Sequence, residues 1–123
     1  MKDQELQTLI DELETRSDLG PADYDGVGHA LVFLLPEVAD ETKNLMEAVS
    51  SADGAIHVVD QAYPNWSIHI RGRANDKDGH WNCTLREGGM RDNDDVMGAG
   101  RSPVLAHAII AAVFRLTASI KRL

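Results

Sequence analysis

Cysteine is nearly missing from these 123 residues. Cys83 stands alone, so no disulfide can form within the chain. Small secreted scaffolds depend on several disulfides, so its solitude points to a reducing compartment and a cytoplasmic protein. Aromatic residues are scarce as well, two each of Trp, Tyr and Phe, which leaves the core to aliphatic side chains. No apolar run is long. The best stretch, Val104 to Phe114, is interrupted by His107, whereas a bilayer span needs about 20 apolar residues. No membrane segment is expected, and the opening Met1-Lys2-Asp3-Gln4-Glu5 has no apolar core behind it to suggest a secretory leader. Internal repeats, low-complexity tracts and long linkers are also absent, so residues 1–123 read as a single domain.

Basic residues are few in the first half. Residues 1–60 hold 3 Lys/Arg against 14 Asp/Glu, a net of −11, while residues 61–123 hold 9 against 6, a net of +3. The two halves attract each other in one fold, and the acidity favours solubility. A sharper reading is an acidic face that binds a basic partner or imitates nucleic acid. What remains is ordinary: 43% hydrophobic and 26% charged residues is a globular composition, and it excludes a disordered chain.

Leu6, Leu9, Ile10 and Leu13 fall at i, i+3, i+4 and i+7, which predicts an amphipathic helix from Asp3 to Glu14. Gly20-Pro21 stops it. Ala30 to Leu35 is a continuous apolar run, and periodicity alone leaves strand and helix both open there. A helix is expected from Asp40 to Val49. Ser50-Ser51-Ala52-Asp53 has capping-box form and predicts another helix to about Tyr63, burying Ile56, Val59 and Tyr63. A strand over Ala55–Val59 is the competing reading, because Ile56, Val58 and Val59 are β-branched.

Strand signals are clearest next. Trp66, Ile68 and Ile70 alternate with Ser67, His69 and Arg71; Trp81, Cys83 and Leu85 alternate with Asn82, Thr84 and Arg86. Asn75-Asp76-Lys77-Asp78-Gly79-His80 lies between them, so the pair reads as a β-hairpin with one apolar and one polar face. The apolar face is expected to meet Ile109, Ile110 and Val113 of a last helix. Residues 88–101 read as a Gly- and Asp-rich loop in which Val96 and Met97 form at most a short third strand. Ser102-Pro103 then opens that helix, with Ser102 as its cap. It is apolar on nearly every side. Ala108 and Ala112 permit close helix–helix approach, so a two-fold homodimer is expected.

The order of these signals resembles a known family. The Leu-rich first helix, Asp23-Tyr24-Asp25, Ala62-Tyr63-Pro64-Asn65-Trp66, Trp81-Asn82-Cys83-Thr84-Leu85 and Gly98-Ala99-Gly100-Arg101-Ser102-Pro103-Val104-Leu105-Ala106 are similar to the phage ABA sandwich domain. These are small proteins of alphaproteobacteria, their phages and prophages. The resemblance runs from Leu6 to Ala118 and fits least over Leu31 to Ser51. It implies an α+β fold, an α-β-α sandwich with the hairpin or a small sheet packed between helices. It carries no catalytic residue.

Few residues suggest chemistry. Gly98, Gly100, Arg101 and Ser102 precede a helix, where backbone N–H groups and a guanidinium suit a phosphate. The third Gly of a dinucleotide loop and the Gly-Lys-Ser/Thr of a P-loop are lacking. A small-ligand or phosphate-binding domain using this loop is therefore the alternative reading. His69, Arg71 and Arg86 share the polar hairpin face, but Trp66 and Trp81 point the other way, which separates stacking from backbone contacts and argues against nucleic acid. His80-x-x-Cys83 is far short of a zinc site, and the acids of residues 76–78 and 92–95 lack the positions of a calcium loop. Buried beside Trp81 and Leu85, Cys83 is a poor nucleophile. No metal, nucleotide, prosthetic group or catalytic set is expected. The reading is a phage- or prophage-related accessory protein that acts by binding an unidentified protein, in its specific form an inhibitor of a host defence system.

Overall fold

A computed structural model describes residues 3–16, 19–36, 49–72, 81–87 and 97–121. These residues form α1 (Asp3–Thr15), α2 (Pro21–Leu34), α3 (Ala52–Ala62), β1 (Trp66–Arg71), β2 (Trp81–Glu87), β3 (Met97–Ser102) and α4 (Leu105–Lys121). The chain is an α+β protein. The helix expected over residues 40–49 and the hairpin loop 75–80 lie outside the described residues, apart from Val49, which is buried.

The first helix forms as its periodicity requires. Leu6, Ile10 and Leu13 are buried and Leu9 is half-buried, each fully buried side chain supplying about 1.5–3 kcal/mol. The Gly20-Pro21 that ends it also starts α2. Proline at the first helical position loses an N–H that has no partner in a helix anyway, and the Asp23 carboxylate accepts the Gly20 N–H at 3.0 Å. Residues 30–34 are thus helical, with Val27, Ala30, Leu31 and Leu34 facing inward. Residues 55–59 are helical too. The cap of α3 is Ser51, one residue later than the capping-box spacing suggests, and its Oγ accepts from Gly54 N at 3.0 Å. Ala55, Val58 and Val59 face inward, and Ile56, expected in the core, stands 38% exposed.

The sheet is antiparallel in the order β1-β2-β3. The third strand, expected at most at Val96 and Met97 within a loop over residues 88–101, runs over Met97–Ser102. Ile68 pairs with Leu85 and Ile70 with Cys83; Cys83 pairs with Gly100 and Leu85 with Gly98. One face therefore carries Trp66, Ile68, Ile70, Trp81, Cys83 and Leu85, as the alternation predicts. α4 lies under this face. It sits closest to β3, then to β2, and its contacts all but vanish at β1. α1 and α3 also pack on α4, and α1 touches β3 as well.

Two glycines explain the closeness at β3. A Cβ on Gly98 would lie 2.5 Å from the Ala112 carbonyl oxygen and 2.6 Å from Leu116 Cβ. A Cβ on Gly100 would overlap the Ala108 carbonyl oxygen and lie 2.6 Å from Ala112 N. Ala108 and Ala112 thus permit helix–strand approach, not the helix–helix approach expected of them. Ile109, Ile110 and Val113 are fully buried, but where β3 is seated the helix presents Ala108, Ala111, Ala112 and Leu116.

All residues of α4 from Ala106 to Phe114 are buried within this one chain. The cover that a dimer was expected to supply comes from the sheet, α1 and α3. Polar contacts fasten the N-terminal helices to α4: Tyr24 Oη to His107 Nε2 at 2.9 Å from α2, Glu14 to Arg115 from α1, and Tyr63 Oη, just after α3, to Thr117 Oγ1 at 2.7 Å.

Candidate functional site

Gly98, Gly100, Arg101 and Ser102 lie in β3 and not in a loop ahead of α4. Gly98 and Gly100 are buried between β2 and α4, each in a strand register with β2. Ser102 ends β3. The first helical carbonyl partner belongs to Val104, which accepts from Ala108 N at 3.1 Å, so Ser102 is not the cap of α4. Its buried hydroxyl instead accepts from Val104 N at 3.1 Å and closes the turn.

Arg101 lends its backbone to a different arrangement. Glu14 Oε2 accepts from Arg101 N at 3.0 Å, and Arg115 Nη1 donates to the Ala99 carbonyl at 2.9 Å. Arg115 and Glu14 form a two-pronged ion pair, Nη1 to Oε2 and Nη2 to Oε1, the latter at 2.6 Å. The pair offers β3 an acceptor and a donor where a further strand would offer them. An open strand edge is a template for pairing, and side chains laid along it block that.

His69, Arg71 and Arg86 do share the polar face. Arg71, Asn82 and Arg101 form one row across the three strands, His69, Thr84 and Ala99 the next, and Ser67, Arg86 and Met97 the third. His69, Arg71 and Arg101 are exposed and Arg86 is half-buried. Arg71 also borders a polar hollow of about 720 Å³ with Ile70, Gly72, Asn82 and Thr84. The face is cationic, and neither tryptophan is on it.

A cleft of about 360 Å³ lies between α3 and β1. Its origin is the seating of the sheet. α4 supports β3 and β2 but not β1, so the apolar face of β1 overhangs. Trp66 and Ile68 are only half-buried there, and Ile70 is 37% exposed. From α3, Asp53, Ile56, His57 and Asp60 line the opposite wall, spaced i, i+3, i+4 and i+7 on one side of the helix. Tyr63 and Pro64 close one end, with the Tyr63 ring set edge-on to Trp66 at 5.6 Å between centroids. Asp53 and Asp60 are exposed, and among the described residues no Lys or Arg lines the cleft. Its sequence signal was the alternation of β1 and the mixed acidic–apolar stripe of α3. The alternation gave the apolar face but not its lack of cover.

The buried titratable groups serve packing. Cys83 is fully buried, which pushes its thiol pKa up to about 11 and keeps it protonated near neutral pH. Burial lowers the pKa of His107 and raises that of Tyr24, the latter with help from the Asp23 charge. The Arg16 backbone opposes the lowering at His107. His80 lies outside the described residues. Among the described residues no three His, Cys, Asp or Glu side chains converge, and no helix is long and apolar enough to cross a membrane.

These features define an α+β domain with one sealed sheet edge and an apolar, acid-rimmed cleft at the other. No family model, curated protein or solved structure matches the chain.

Proposed function

We propose that the chain is a non-enzymatic binding protein that works by protein–protein contact in the cytoplasm, with the cleft between α3 and β1 as its contact surface. One observation carries this: the apolar face of β1 projects past α4, so that Trp66 and Ile68 stay half-buried and Ile56 more than a third exposed across an open cleft. Apolar surface grouped in a concave site gains free energy when a partner covers it, and patches of this kind mark interaction sites. The resemblance to phage ABA sandwich proteins supports an accessory role in a phage or prophage, with inhibition of a host defence system as its specific form.

A photo-crosslinking amino acid placed at Ile56 or at Ile68, which face the cleft from α3 and β1, tests the reading in the native host, with the exposed Gln7 of α1 as control. Both cleft positions should give the same adduct with a second protein, and Gln7 should not. Failure of both to give an adduct, or an equal adduct from Gln7, overturns the proposal.

A further inference from the structure

The two outer edges of the sheet are treated oppositely. At β3 the Glu14–Arg115 pair takes up Arg101 N–H and the Ala99 carbonyl. At β1 no strand lies alongside among the described residues, and the edge borders the cleft. A partner segment that adds a strand to this sheet is thus directed to β1. A strand added there sends alternate side chains to opposite faces. Those on the helix side meet Ile56, Trp66 and Ile68; those on the other side stand next to Ser67, His69 and Arg71.

Charge decides the sequence of such a segment. Asp53 and Asp60 stand seven residues apart on one side of α3, about 10.5 Å along the helix axis. Two side chains four residues apart on one side of a strand are about 13 Å apart, within reach given the flexible stems of lysine or arginine. The residue midway between them faces the apolar cleft. Positions on the other face meet the Arg71 side and exclude cations.

Building on the protein-contact reading above, we infer that the cleft receives an extended segment of a partner protein that pairs with β1 as a fourth strand. The segment places an apolar side chain in the cleft, flanked at two residues on each side by lysine or arginine that face Asp53 and Asp60. Main-chain pairing supplies affinity and the alternate side chains supply selectivity.

The probe is the end-blocked peptide Thr-Lys-Thr-Val-Thr-Lys-Thr, titrated into the full-length ¹⁵N-labelled protein. Amide shifts should concentrate in β1 and α3 and spare the outer edge of β3. Replacing both lysines by glutamate should weaken binding by about tenfold or more, and Asp53→Asn with Asp60→Asn should weaken the lysine peptide comparably. N-methylation of every peptide bond should abolish binding. Equal affinity for the glutamate peptide, unchanged binding after N-methylation, shifts at Ala99 and Arg101 instead of β1, or no shift at millimolar peptide each overturns the inference. Crosslinked adducts from Ile56 and Ile68 without a peptide response overturn strand addition and leave protein contact standing. A peptide response without adducts supports the strand site and overturns the cellular reading.

Discussion

Gly100→Ala is the most direct probe of how the sheet is seated. In an unconstrained strand the added methyl favours folding by about 0.5–1 kcal/mol, because glycine loses more freedom on ordering. Here the new Cβ would overlap the Ala108 carbonyl oxygen and lie 2.6 Å from Ala112 N. Both are backbone atoms of α4, so no side-chain rotation relieves them. Overpacking of this kind costs about 1–3 kcal/mol and sometimes more. For a domain of this size that is a fall in Tm of roughly 5–15 °C. Gly26→Ala is the internal control. It lies within α2, and its nearest neighbour would be Leu9 Cδ2 at 4.0 Å, so it should stabilise by about 0.5–1 kcal/mol. Urea and thermal unfolding followed by circular dichroism measure both. A Gly100→Ala protein as stable as the parent would refute the close β3–α4 contact, and with it the explanation of the cleft.

Glu14→Gln keeps the shape of the side chain but removes its charge from Arg115 and Arg101 N; the loss should be about 1–2 kcal/mol by urea unfolding, given that Arg115 is partly solvated. Glu14→Ala with Arg115→Ala should also expose the β3 edge, and light scattering should then show concentration-dependent association above 13.5 kDa; a mass unchanged from the parent counts against the edge-sealing role. His107 titrates lower when folded than its ordinary value of 6.5, so the unfolded chain binds the extra proton first, and this contribution to stability is present above about pH 6.5 and lost as pH falls below it. Tm profiles between pH 7.5 and 5.5 should therefore fall more steeply for the parent than for His107→Met, and parallel profiles would contradict the assignment.

Much of the fold was legible because period and register are local. The stripe of α1 and the alternation of β1 and β2 each require one arrangement of apolar residues. The run at residues 30–35 was not decidable, because Val32 and Phe33 are apolar yet exposed, which masks the helical period. The strand at 97–102 was hidden for a related reason. Met-Gly-Ala-Gly-Arg-Ser shows no apolar alternation, since its inward positions are glycine where the helix backbone comes close. Ile56 is apolar but lines the cleft opposite β1, and nothing local in α3 distinguishes it from a core position. Glu14 and Arg115 are 101 residues apart, and nothing local in either segment announces their pairing.

The same glycines that were read as a binding loop account for the site, though indirectly. Side-chain-free positions at Gly98 and Gly100 let β3 settle onto the α4 backbone, and Cys83 and Leu85 fill the interface beneath β2. A single helix under a three-stranded sheet cannot also reach β1 once it is held so close to the far edge. The nearest helix on that side is α3, which packs on α4 and presents Asp53, Ile56, His57 and Asp60 toward the overhang. Trp66 and Ile68 are thereby left half-covered, at a cost in buried apolar area that a partner can recover. The acidic first half of the chain gives the cleft its rim and the basic second half gives the open sheet face its arginines. The charge imbalance visible in the sequence therefore separates two surfaces of opposite sign, which meet at β1, beside which no further strand lies among the described residues.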